Sequence, residues 1–129
     1  MISSNGTVTQ FASGFTSPTA IVTDASGNVY VGDCSNGNVY KIGSTIVSII
    51  SSLSCPAGMK LDNAGNIYIL DSGTGIIYKY SPSTGYYSPY AGGTGIPNTN
   101  AGFAFDDTFT TLYVSEDSPT NGVISIPLQ

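Results

Sequence analysis

An all-β fold, built by repeating one unit of four short strands, is predicted by three observations. The decapeptide DASGNVYVGD, from Asp24 to Asp33, returns 38 residues later as DNAGNIYILD, from Asp62 to Asp71. Residues 18–42 align with residues 56–80 without a gap, sharing Pro18/Pro56, Asp24/Asp62, Gly27/Gly65, Asn28/Asn66, Tyr30/Tyr68, Asp33/Asp71, Gly37/Gly75, Tyr40/Tyr78 and Lys41/Lys79. Between the turn residues lie short runs rich in Val, Ile and Tyr, the composition of strands. A period near 40 residues made of short strands marks the units of a β-propeller, one blade per repeat.

Each element follows from its punctuation. Thr7-Val8-Thr9-Gln10-Phe11 falls on Thr45-Ile46-Val47-Ser48-Ile49 when the alignment is extended backwards, so residues 7–12 are expected to be a strand of the type labelled D. Strand A is expected at 20–24, and its first residue, Ala20, matches Gly58 and Gly102, small side chains suited to a crowded axis. Asp24-Ala25-Ser26-Gly27-Asn28 is a hairpin loop in which Asp bonds its own backbone and Gly takes the left-handed position. Strands B at 29–33, C at 39–42 and D at 46–50 complete the pattern, and Asp62-Asn63-Ala64-Gly65-Asn66 opens it again. The third copy is diverged, with A near 101–106, B near 112–116 and C at 122–127. Pro89 lies in the D-type run 86–91, and a strand proline is tolerated mainly at a sheet edge, which puts D outermost. Tyr30, Tyr68 and Tyr113 recur at one repeat position and are expected in the core.

The chain thus reads as a single domain, 1–129, of three four-stranded blades in the order D-A-B-C, with units near 5–42, 43–80 and 81–127. Each D completes the blade before it, so the first D has no blade and the last C has no D. Three blades do not close a ring, since propellers have roughly four to eight. Six blades from a homodimer are expected, with a seam made by Thr7, Val8, Thr9 and Phe11 of one copy and Val123, Ile124 and Ile126 of the other. Head-to-tail growth into an extracellular structural fibre is the alternative if the rotation does not close.

Composition narrows the partners. Charged residues are 9% of the chain, net charge is −5, and Lys41, Lys60 and Lys79 are the sole basic residues. Little is there to neutralise a phosphate backbone or an anionic bilayer, so neither nucleic acid nor membrane is expected as a partner. No apolar run is long enough to span a bilayer as a helix, and the N-terminus lacks the pattern of a signal peptide. The low-charge Ser, Thr, Asn and Gly surface favours an extracellular or periplasmic setting. The sequence holds no His, the commonest general base and zinc ligand. Asn5-Gly6-Thr7 has the form of a glycosylation sequon.

With the blade pattern established, PTAIVTDASGNVYVGDCSNGNVYKI and PAGMKLDNAGNIYILDSGTGIIYKY resemble NHL repeats, the units of six-bladed propellers, and are similar to the broader lactonase-like propeller group. The resemblance covers nearly the whole chain. It departs where the family carries Asn-x-Arg before strand C, because Gly37-Asn38 and Gly75-Ile76 stand there. The resemblance implies the propeller fold and a ligand-accepting face, without fixing one function. The RNA-binding members present a basic face that this chain lacks.

Asp33, Asp71 and Glu116 end the B strands and should ring one face near the axis. An acidic ring could hold Ca²⁺ through hard oxygen ligands. Repetition in every blade favours a structural cap that bonds backbone amides, with no cofactor and no catalytic residue. The lactonase-like resemblance keeps a metal-dependent hydrolase as an alternative to the non-enzymatic binding or scaffold module expected here. Tyr86-Tyr87-Ser88-Pro89-Tyr90 is either a recognition surface for a small-molecule or glycan ligand or packing of an outer strand, and packing is favoured. Cys34 lies in a B-to-C loop and Cys55 in the following D-to-A connection, on the same face of a propeller, so a disulfide and two free thiols both remain open.

Overall fold

The computed structural model describes residues 4–92, 102–115 and 122–128. These residues form eleven strands and three antiparallel sheets. The first sheet runs β1 (Pro18–Thr23), β2 (Val29–Asp33), β3 (Asn38–Ile42), β4 (Ile46–Ile50). The second runs β5 (Pro56–Leu61), β6 (Ile67–Asp71), β7 (Ile76–Ser81), β8 (Tyr86–Gly92), and the third holds β9 (Phe103–Phe105), β10 (Thr111–Ser115) and β11 (Val123–Pro127). Among the described residues no helix is long and apolar enough to cross a membrane.

Strand order in each four-stranded sheet follows sequence order, so every turn is a hairpin and no chain crossing is needed. β1 lies against β5 and β5 against β9, which places the A-type strands together at the hub and β4 and β8 at the rim. The rim strand β8 carries Pro89 opposite Tyr78 next to a register shift. Strand A begins earlier than its spacing predicts, at Pro18 and Pro56 rather than at Ala20 and Gly58, because the prolines pair with Asp33 and Asp71 across a bulge.

Two apolar layers hold the sheets together. Ala20, Tyr30, Val39 and Ile50 meet Met59, Ile67, Ile69 and Tyr80 between the first and second sheets. Tyr68, Leu70 and Ile77 meet Phe103, Leu112 and Val114 between the second and third. The middle sheet is covered on both faces, so all five residues of β6 are buried, whereas β11 alternates exposed and half-buried positions. Burial of each large aliphatic or aromatic side chain contributes about 1.5–3 kcal/mol.

Residues 7–12 form no strand within the chain, and only Val8 makes an isolated bridge. Val8 is 75% and Phe11 54% exposed, and none of the three described sheets includes them. Tyr113 also departs from expectation, lying exposed on the outer face of the last sheet while Tyr30 and Tyr68 are buried.

Candidate functional site

The hairpin loops behave as their sequences dictate. Ser26 N and Asn28 N both donate to Asp24 Oδ1 at 2.9 Å, and Ala64 N and Asn66 N do the same to Asp62 Oδ1. Gly27 and Gly65 sit at φ 84° and 85°. In the third copy Asp106 takes the role of Asp24, accepting from the amides of Thr110 and Thr111, and Phe109 occupies the glycine position at φ 55°. The hydroxyl and amide bonds from Thr110, with Thr111 and Thr108, hold Asp106 down to about 2. Burial pushes Asp24 up, but donors from Asn28, Tyr30 and Ser26 together keep it below the ordinary carboxylate value.

Asp33 and Asp71 are both buried at the ends of β2 and β6. Thr16 N donates to Asp33 Oδ2 at 2.7 Å and Ser17 N to Oδ1 at 2.9 Å. Ser54 N and Cys55 N bond Asp71 in the same way, at 3.0 and 2.6 Å. Burial raises the Asp33 carboxyl, yet the amides of Thr16, Ser17, Ser35 and Asn36 outweigh it and leave its pKa below 3.8. Each carboxylate therefore fastens the loop that leads into its own sheet as well as the turn after strand B, a wider role than a cap on the B-to-C loop alone. The arrangement turns both acids inward onto backbone donors. Glu116, the third member of the expected ring, lies outside the described residues. Among the described residues no three His, Cys, Asp or Glu side chains form a metal-holding cluster.

Cys34 and Cys55 are joined in a disulfide that ties the turn after β2 to the residue before β5. Cys34 N also donates to Ser17 O, and Ser72 N to Cys55 O, both at 2.9 Å. The bond thus runs between two equivalent backbone straps, one in each sheet.

The tyrosine-rich run does not form one surface. Tyr87 packs edge-on to Tyr78 and Tyr90 edge-on to Tyr68, on the two faces of the second sheet, while Tyr86 is exposed. Lys79 Nζ stands 5.5 Å from the Tyr68 ring and 5.7 Å from the Tyr90 ring, a cation–π contact across three neighbouring strands of the second sheet. Burial raises the Tyr68 hydroxyl pKa despite that ammonium.

The concave hub offers one place with room for a small ligand. β1, β5 and β9 line a concavity of about 300 Å³ through Thr19, Ile21, Gly58, Lys60, Gly102 and Phe103. Lys60 is the sole charged side chain on these three strands. The spacing that revealed strand A also located this lining, but nothing in the sequence marked Lys60 or the exposure of Ile21.

No family model matches the sequence, and no curated protein matches it. Among solved structures, virginiamycin B lyase from Staphylococcus aureus aligns with 87% of this chain at 12% identity and a TM-score of 0.59. The extracellular domain of BT4673 from B. thetaiotaomicron, described as a one-component system, aligns with 86% at 18% identity and a TM-score of 0.62. This chain spans 41% of the first protein and 15% of the second. Likeness at such identities speaks for architecture alone, and with three antiparallel sheets around a common hub it makes the fold β-propeller-like.

Proposed function

We propose that this chain is a non-enzymatic binding or scaffold module, half of a six-bladed propeller completed by strand exchange with a second copy. One observation carries the reading: among the described residues the D-type segment 7–11 belongs to none of the three sheets, and the third sheet holds three strands where the others hold four. Residues 7–11, the counterpart of the rim strand β4, stand exposed, and among the described residues β11 is an outer strand of a three-stranded sheet. Open edges pair readily with another chain, and two such pairings about a two-fold axis leave none. The NHL-like and lactonase-like resemblance adds a ligand-accepting face, which the concave hub matches in position.

Light scattering on the intact chain tests the assembly. A particle of two chains that dissociates when residues 1–13 are removed supports it, and retention of the same mass and melting temperature after that removal overturns it. Mass that grows without limit favours the fibre, since the same two edges then join head to tail. Chelator-sensitive turnover of lactones would instead favour the hydrolase.

A further inference from the structure

Each sheet has two faces, a leading face toward the preceding sheet and a trailing face toward the next. Ile21, Met59 and Phe103 hold one leading-face position, opposite Val31, Ile69 and Val114 in their registers. Met59 and Phe103 are buried, at 4% and 7% exposure, whereas Ile21 is 67% exposed. On the trailing face Val39, Ile77 and Val123 share one position and Tyr30, Tyr68 and Tyr113 another. The first two of each set are buried, but Val123 is 70% and Tyr113 43% exposed. The exposed members lie at the two ends of the stack.

The contacts that bury the inner members are explicit. The Phe103 ring occupies the space over Gly58, where an added Cβ would lie 2.6 Å from Phe103 Cε1. The Tyr68 ring meets Phe105 edge-on at 5.1 Å. Trailing-to-leading packing is therefore an interface that the chain forms twice within itself, between sheets one and two and between sheets two and three. The outer faces of the first and third sheets are the unmatched halves of that same interface, the former open at Ile21 while Val31 beside it is already buried.

We infer that the leading face of the first sheet docks on the trailing face of the third sheet of a second copy, twice about a two-fold axis. Equivalence of position sets Ile21 of one copy over Gly102 of the other, as Phe103 sits over Gly58, and Tyr113 against Thr23, as Tyr68 sits against Phe105. The occupant is a second copy because the two internal interfaces show the equivalent trailing and leading faces of the other sheets fitting one another. A leading-to-trailing contact joins unlike surfaces, so two chains close only if each supplies half of the ring. This inference rests on the two-copy reading above and adds a face contact, between residues absent from the strand-exchange seam apart from Val123, to the pairing of edges.

The test compares the full chain with Ile21→Lys, Gly102→Glu and their equimolar mixture by light scattering. Each variant alone places one charge in both seams and should weaken the dimer at least tenfold. The mixture should recover the dimer mass as a heterodimer, because one seam is then unsubstituted and the other pairs ammonium with carboxylate. Val123→Glu, whose side chain is exposed in the single chain, is a second trailing-face variant should Gly102→Glu fail to fold. Variants that keep the parent's mass and affinity overturn the face contact while leaving strand exchange standing, and a mixture that stays monomeric overturns it too. A parent chain that is itself monomeric overturns both readings.

Discussion

Asp71 Oδ1 accepts the amide of Cys55 at 2.6 Å, so the residue that ends β6 holds in place the loop that carries one half of the disulfide. Asp33 does the same one repeat earlier with Ser17. Removing the carboxylate leaves the Ser54 and Cys55 amides without their acceptor in a partly buried site, and an unsatisfied buried group costs about 1–3 kcal/mol. Asp71→Ala should lower the melting temperature by several degrees, while Ca²⁺ leaves the parent unchanged. A calcium-dependent rise in the parent that the substitution abolishes would restore the metal-binding reading.

Acid should weaken the fold through Asp33. Its folded pKa lies below the ordinary 3.8, so the native state favours the ionised form more than the unfolded chain does. That stabilisation is complete above the unfolded value and is lost as pH falls through the lowered folded value. Asp24 is depressed as well and acts in the same sense. Denaturant titrations between pH 7 and pH 2 should show the loss, and Asp33→Asn should start less stable and show a shallower decline. An unchanged slope in the variant would remove Asp33 from the account.

Reduction should cost more than any single hydrogen bond. The disulfide spans a sequence separation of 21 and links two sheets, and closing a loop of that size is worth roughly 3 kcal/mol. Cys34→Ser and Cys55→Ser should each lower stability by that amount, with no additivity in the double variant. Mapping of unreduced peptides by mass spectrometry checks the pairing, and two free thiols in protein made under oxidising conditions would refute it.

Two glycines with similar backbones should respond differently to alanine. Gly27 has φ +84° with nothing within 4 Å of an added Cβ, so Gly27→Ala should cost only the left-handed penalty, about 1–2 kcal/mol. Gly37, at φ +70°, would drive its Cβ into the Leu53 carbonyl, whose residue also donates its amide to Gly37 O. Gly37→Ala should therefore be the more damaging by roughly 1–3 kcal/mol, the range for a steric clash in a packed region. Equal melting temperatures for the two variants would contradict this.

The repeat, the hairpin loops and the strand positions, apart from the expected strand at 7–12 and the early start of strand A, were legible because each is decided within a few residues. Asp24 and Asn28 bond across one loop, glycine fits the left-handed turn, and alternation of Val, Ile and Tyr commits the flanking runs to strands. Even the order from hub to rim could be read, since Pro89 is compatible with an edge. The tertiary structure decided what each residue meets across space. It gave Asp33 amides 16 and 17 residues away, split Tyr87 and Tyr90 between opposite faces, and joined Cys34 to Cys55. It also separated Tyr113 from Tyr30 and Tyr68, which local sequence makes alike. Strand geometry is a property of the local backbone, whereas burial depends on the sheet packed opposite, and none of the described sheets packs on the outer face of the third, where Tyr113 lies.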